Sequence, residues 1–543
     1  MRQKQRLELT WVGKENRPRL EPRIIIEDAE KSYHAAARSN GDVFDNVLIH
    51  GDNLLALKAL EQQYTRRVKC IYIDPPFNTG QAFEHYDDGL EHSIWLGLMR
   101  DRLSILERLL ADDGAIWVHC DDNEQAYLKV MMDEIFGRAA FVATVVWESR
   151  YSRSNDASLS LSHNFILVYA RKPGLWKTVR NRLPRTDEQA GQYKNPDNDP
   201  RGPWRAIPWD APNIRPKLTY PIETPSGKIR LPPEGRHWSR TEDQWLEIAA
   251  QGLAYFGKLG DGAPSFKRFL SEAGPIVPNT WWSHEDAGHT DEAKKEGHAL
   301  FGRGDAFATP KPERLLNRII AIGTNPGDLV LDSFAGSGTT GAVAHKMGRR
   351  WIMVELGNQC VTHIVPRLRK VVDGGDSGGV TEAVDWKGGG GFRYYELAPS
   401  LLQKDKWGRE VISKRYNAEM LTQALCKLEG FIYDPNPDVY WQHGHSSETD
   451  FIYVTTQTLA SNELVALSDE VGEGRSLLVL CSAFRGNLDR LLNLTVRKIP
   501  NHVRSRCEWG HDDYSLNVAN LPIARAETTR PKQAGLFDDG GEL

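Results

Sequence analysis

Two short stretches of the chain carry residue types that chemistry needs. In CIYIDPPFNTG (residues 70–80) a β-forming apolar run ends on Asp74, and Pro75 and Pro76 follow. Two prolines cannot extend a ladder; with φ fixed and no N–H they hold the chain extended and present carbonyl acceptors. A carboxylate and a carbonyl aimed at the two hydrogens of an exocyclic amine favour a pyramidal, nucleophilic nitrogen. Phe77 beside them is an aromatic with a flat face. In LVLDSFAGSGTTGAVAHKMG (residues 329–348) a strand, a glycine turn and a helix follow one another. Glycine belongs where backbone must pass close to a ligand, a role open to Gly336 and Gly338. Glu355 comes 17 residues after Gly338, at the end of the next strand, where an acid can accept both hydroxyls of a ribose. The GK[ST] ending of a P-loop is missing, and no third glycine completes a dinucleotide fingerprint.

The elements around these stretches explain how they are held. From Val47 the pattern alternates: strand VLIH, a helix from Asn53, strand KCIYI, a helix from about Ile94 to Leu110, strand AIWVHC, a helix through Met132, then strands VATVVW and FILVYA. Strands alternating with helices predict a mostly parallel sheet, whose carboxyl ends are where ligands bind. The expected domains are an arm over 1–46, a catalytic half over 47–172, an irregular Pro-, Trp- and Arg-rich insert over 173–305 and a glycine-loop half over 306–372. A Gly-rich linker (373–398), a C-terminal domain (399–530) and a disordered tail (531–543) complete the chain.

With 543 residues, 40% of them hydrophobic and 26% charged, the chain suits a multi-domain soluble protein. No stretch reaches about 18 continuous apolar residues and the start has no apolar leader, so the expected location is cytoplasmic, with no membrane contact. The six cysteines are scattered without a CxxC pair, which argues against a disulfide framework. His443, His445, Cys507 and His511 match no closed zinc spacing, and no metal is expected. The net charge of −5 hides a local excess: Glu148 to Arg240 holds 17 Lys plus Arg against 9 Asp plus Glu. Trp176, Trp204, Trp209, Tyr220 and Trp238 interleave with these cations, as suits a surface that meets phosphates and bases, although aromatics more often simply form core.

DPPF and DSFAGSGTTG, in that order and with an irregular segment between them, resemble the β group of DNA amino-methyltransferases. HGDNLLALKAL, HNFILVYARK, TPKPERLLNRII and GGGFRYYEL extend the likeness, most of all to the modification subunit of Type III restriction-modification systems, over about residues 1–400. The resemblance implies an α/β, Rossmann-like S-adenosylmethionine-dependent sheet in circularly permuted motif order, with an inserted target-recognition domain and a C-terminal domain. It implies methyl transfer to adenine N6 in double-stranded DNA by base flipping, with N4-cytosine methylation, or a recognition subunit active only with partners, as alternatives. Asp74, Pro75, Pro76 and Phe77 become the catalytic motif. Asp52 becomes the contact to the cofactor adenine, with Lys311, Pro312, Asp332, Phe334, Gly336, Gly338, Thr339 and Glu355 completing the cofactor site. The family more often has tyrosine at the position of Phe77; the stacking face is kept and the hydroxyl lost. A helicase-nuclease restriction subunit and a homodimer are the implied partners. Separately, Gln533 to Phe537 in the tail resembles the QxxLF peptide that docks on the replication sliding clamp.

Overall fold

The computed structural model describes residues 8–38, 41–77, 88–153 and 157–515. The tail peptide at Gln533 to Phe537 lies outside them. The chain divides into two compact units, one made of residues 1–180 and 280–543 and the other of residues 181–279.

The larger unit is built on an 11-stranded sheet. Its strands are β1 (Ile25–Glu27), β2 (Tyr33–His34), β3 (Asn46–His50), β4 (Val68–Ile73), β5 (Leu110–Cys120), β6 (Phe141–Glu148), β7 (His163–Ala170), β8 (Trp281–Trp282), β9 (Leu329–Asp332), β10 (Arg350–Glu355) and β11 (Gly391–Leu397). They lie in the order β1-β11-β3-β10-β9-β4-β5-β7-β6-β8, with β2 on β11. The run from β11 to β5 is parallel, and β7 lies antiparallel between β5 and β6. Both faces of the central strands are covered, so β4 and β9 read as apolar runs without alternation. Helices α1 (Asn53–Tyr64), α2 (Asp88–Leu109), α3 (Thr290–Phe301), α4 (Glu313–Gly323), α5 (Thr339–Lys346) and α6 (Val365–Val372) flank it.

The crossover after β9 runs through α5 to β10, and the crossover after β4 runs through α2 to β5, on opposite sides. Crevices open at such switch points, beyond the strand carboxyl ends. DPPF ends β4 and the glycine loop ends β9, so the two motifs meet there although 258 residues separate Asp74 from Asp332. The expected permuted sheet is the one the chain builds.

Two boundaries differ from those read in the sequence, and the arm keeps its own. The Gly-rich segment over 373–398 is a spacer only in part, because its last residues form β11 beside β3. Gly388, Gly389 and Gly390 all take positive φ on the way in, and a Cβ on Gly390 would stand 2.7 Å from the Val43 carbonyl oxygen. The arm is anchored, since β1 pairs antiparallel with β11. The irregular unit is narrower than 173–305: Pro173–Val179 and Trp281–Trp282 belong to the larger unit.

The smaller unit holds a three-stranded sheet, Ala254–Tyr255 on Ser265–Phe269 on Trp204–Pro208. Trp209, Tyr220, Trp238 and Trp245 form its core, with the Trp209 indole donating to Tyr220 Oη at 3.0 Å. These aromatics are therefore not a base-stacking surface, as the interleaving suggested; burying large rings is how so small a unit makes a core. The cations Arg205, Arg215, Lys217 and Lys228 are exposed. After β11 the larger unit continues into a second, five-stranded sheet packed by Ala418–Glu429 and Ser461–Val471. No helix of the described residues is long and apolar enough to cross a membrane.

Candidate active site

A cavity of about 980 Å³ opens at the switch point, lined by Asp74, Pro75, Pro76 and Phe77 from the end of β4 and by Asp332, Phe334, Gly336 and Thr339 after β9. Glu355 and Lys311 also line it.

At the β4 end, the Lys311 ammonium is in direct contact with Asp74 Oδ2. Asp74 Oδ1 is buried and has no hydrogen-bond partner. The Pro76 carbonyl is not free: the indole N–H of buried Trp95 donates to it at 2.8 Å. Pro75 is left as the proline whose carbonyl can serve a ligand. The Phe77 ring lies 5.7 Å from His119 at 32°, and the Lys311 ammonium 5.5 Å from its centre. Burial, then the nearby Lys311 charge, pushes His119 down to about 3, so a neutral ring backs Phe77. His119 and Trp95 were missed in the sequence; a lone histidine ending a buried strand was the available signal.

At the β9 end, Asp332 Oδ1 accepts from Phe334 N–H at 2.9 Å and Oδ2 from the Thr340 hydroxyl at 2.5 Å, which fixes the turn. Burial raises the Asp332 carboxyl to about 7, with Asp74 and Glu355 adding and the two hydrogen bonds opposing. Glu355 accepts from Gly336 N–H at 2.7 Å on one oxygen, and from Gly357 N–H at 2.9 Å and the Gln359 amide at 2.7 Å on the other. Its carboxyl is raised by burial, against those donors. Behind the loop, Arg367 donates to Thr339 Oγ1 at 2.8 Å and pairs with Glu313, which also holds the buried Lys346.

Three of the expected cofactor residues, Asp52, Pro312 and Gly338, do not line this cavity. Asp52 is buried and caps α1, with Oδ1 accepting from Leu54 and Leu55 N–H. Its Oδ2 takes Tyr514 N–H at 2.9 Å and lies 3.5 Å from Arg102. Pro312 is buried as the residue before α4 and is not on the cavity wall. Gly338 adopts φ 74°, and a Cβ there would stand 2.9 Å from Ile364 Cγ2. A left-handed backbone and close packing against the helix behind the loop both call for glycine here. Gly336, with φ 52°, does face the cavity. Asn53, next to Asp52, also lines the cavity and donates to the Ser333 carbonyl at 2.7 Å. Among the described residues no cluster of His, Cys, Asp and Glu could hold a metal ion.

A family described as DNA methylase matches residues 68–366, a span that includes both motifs. The chain is 34% identical over 422 residues to a probable type III restriction-modification enzyme HindVI Mod subunit of Haemophilus influenzae, covering 66% of this chain and 55% of that one. It is 35% identical over 349 residues to the type III restriction-modification enzyme StyLTI Mod subunit of Salmonella typhimurium, covering 58% and 52%. It is 53% identical over 323 residues to the DNA adenine methyltransferase YhdJ of Escherichia coli K12, covering 59% and 82%. The chain spans about half the length of the two Mod subunits.

Proposed function

The chain belongs to the DNA methylase family, and we propose that it transfers a methyl group from S-adenosylmethionine to the N6 amino group of adenine in double-stranded DNA. The observation that carries this reading is a buried, unpartnered carboxylate oxygen, Asp74 Oδ1, in the same cavity as a glycine loop and its acid Glu355. Asp74 Oδ1 and the Pro75 carbonyl accept the two amino hydrogens and stabilise the nitrogen as it becomes tetrahedral. Phe77, backed by neutral His119, stacks on the flipped base and offsets part of the few kcal/mol that unstacking costs. Phe334, Gly336, Thr339 and Glu355 are the residues that would hold the cofactor, whose positive-φ glycine and ribose-type acceptor fit it. When bound, the cofactor would supply an electrophilic sulfonium methyl, the bond from carbon to sulfur breaking as the bond to the target nitrogen forms and the nitrogen's surplus proton passing to solvent. No covalent enzyme intermediate is needed.

Residues 181–279, with exposed cations on an aromatic core, are proposed to recognise the target sequence. The similarity to Mod subunits supports a restriction-modification role with a separate nuclease subunit; a homodimer and clamp docking through Gln533 to Phe537 are further proposals of the same kind. Sequencing DNA from cells expressing the chain tests the central reading. Modified adenines at one recurring sequence are expected, and N4-modified cytosines or no modification would overturn it.

A further inference from the structure

Lys311 stands in TPKPERLL, a segment expected to serve the cofactor, yet its charge goes to the other motif. Pro312 and the start of α4 fix where its backbone lies, its side chain is 13% exposed, and its ammonium meets Asp74 Oδ2 and lies beside the Phe77 ring. Among the described residues it is the only cation in ion-pair contact with Asp74.

A carboxylate at the end of a strand turns readily about its last bond, a broad torsion with no sharp minimum. Two acceptors aimed at one amino group work only if that torsion is set before the base arrives. A single ammonium on one oxygen sets it and leaves the second oxygen unpaired, which is the arrangement of Oδ2 and Oδ1 here. A guanidinium suits this less well, because its fork frequently takes both oxygens of a carboxylate at once and its planar head does not fit where the compact ammonium sits.

We infer that Lys311 is a positioning residue for the catalytic carboxylate, holding Oδ2 of Asp74 so that Oδ1 is the acceptor for one N–H of the target amino group. The inference rests on the proposed methyl transfer and adds to it the reason for a lysine at this place. It removes Lys311 from the cofactor's ligands.

The test is single-turnover methyl transfer on a cognate duplex, beside titrations of S-adenosylmethionine and DNA and a thermal melt, for wild type, Lys311→Met, Lys311→Arg and Lys311→Cys before and after aminoethylation. The six native cysteines are all buried, so the new thiol is the accessible one. Lys311→Met should lose roughly 100-fold in rate, the usual cost of a misplaced reacting group, with both affinities within threefold and an unchanged melt. Lys311→Arg should not recover the rate although the charge is kept, whereas aminoethylated Lys311→Cys, which restores an ammonium at near-lysine length, should. A fully active Lys311→Met, or a tenfold loss of cofactor affinity alongside the rate, or a melt lowered by ten degrees, would each overturn the inference. A wild-type protein that methylates nothing sinks the proposed function and this inference with it; an active wild type with an active Lys311→Met sinks the inference alone.

Discussion

The main-chain N–H of Tyr514 donates to Asp52 Oδ2 at 2.9 Å, joining residues 462 positions apart. Arg102 donates to the Tyr514 carbonyl at 3.1 Å, and Arg23 holds the same segment through the His511 carbonyl at 2.9 Å. Both oxygens of Asp52 are thus committed within the protein, and its first task is to tie the end of the C-terminal region to the start of α1.

Asp52→Ala should therefore act on stability. It removes a helix cap, worth about 1 kcal/mol, and leaves the fully buried Arg102 without its acid, which costs about 3–5 kcal/mol where a buried pair is broken. Asp52→Asn keeps an acceptor for the cap and should lose less. Urea unfolding of the three proteins measures this, and equal midpoints for wild type and Asp52→Ala would refute it.

Asp74→Ala and changes in the glycine loop should separate chemistry from binding. Loss of one oriented polar group at a developing charge costs roughly 10² to 10³ in rate, so Asp74→Ala should be nearly silent in methyl transfer with cofactor affinity within a few-fold. Gly336→Val places a β-branched residue at φ 52° on the cavity wall and should weaken cofactor binding first. Gly338→Ala should appear in the melt instead, because its Cβ meets Ile364. Phe77→Ala should cost about 1–3 kcal/mol of base stacking. Full turnover by Asp74→Ala would remove DPPF from the chemistry.

Asp332 should make the protein less stable as pH rises. Burial holds its carboxyl up at about 7 in the folded protein, against the ordinary aspartate value of about 3.9 in an unfolded chain. Between about pH 4 and 7 the folded state therefore holds a proton that the unfolded chain has released, and stability falls through that window and levels off above it. The slope approaches roughly 1.4 kcal/mol per pH unit. Glu355 and Glu296 are raised as well, Glu296 to about 7 by burial and then Glu313, so the informative quantity is the difference between wild type and Asp332→Asn. Parallel stability profiles for the two proteins from pH 5 to 8 would contradict the assignment.

Exchange of residues 181–279 for the equivalent unit of a relative should change the methylated sequence without removing methylation. Sequencing of modified DNA reads the outcome directly. An unchanged motif would put recognition outside the unit.

The central strands and both motifs were legible because their signals are local: an apolar run, a proline or glycine turn, and an acid fall within a dozen residues. Glu355 was legible for the same reason, one strand further on. Asp52 was not, because its partner lies in the last described segment of the chain and nothing beside it says that its oxygens are taken. Gly338 looked like a ligand glycine, since a glycine facing a neighbouring helix and one facing a cavity read alike in sequence. The tryptophans of residues 181–279 left two readings open for a related reason: alternation with cations cannot tell a buried ring from an exposed one. Lys311 was read into the site, but its contact with Asp74 was not legible, because only the fold brings the start of α4 to the end of β4.

The permuted sheet also sets a timetable. β3 lies between β10 and β11, and Asn46 accepts a hydrogen bond from Trp351 N–H across 305 residues. At about 5–20 residues per second of synthesis, β3 leaves the ribosome roughly 15–60 s before either neighbour exists. The block β4-β5-β7-β6 is complete within one continuous stretch and can form while β3 still carries two open edges, the kind of surface that recruits stray strands. Yield in a cell then depends on what shelters residues 46–50 during that interval, and a translational pause inside the 181–279 segment should lower soluble protein without altering the stability of what does fold.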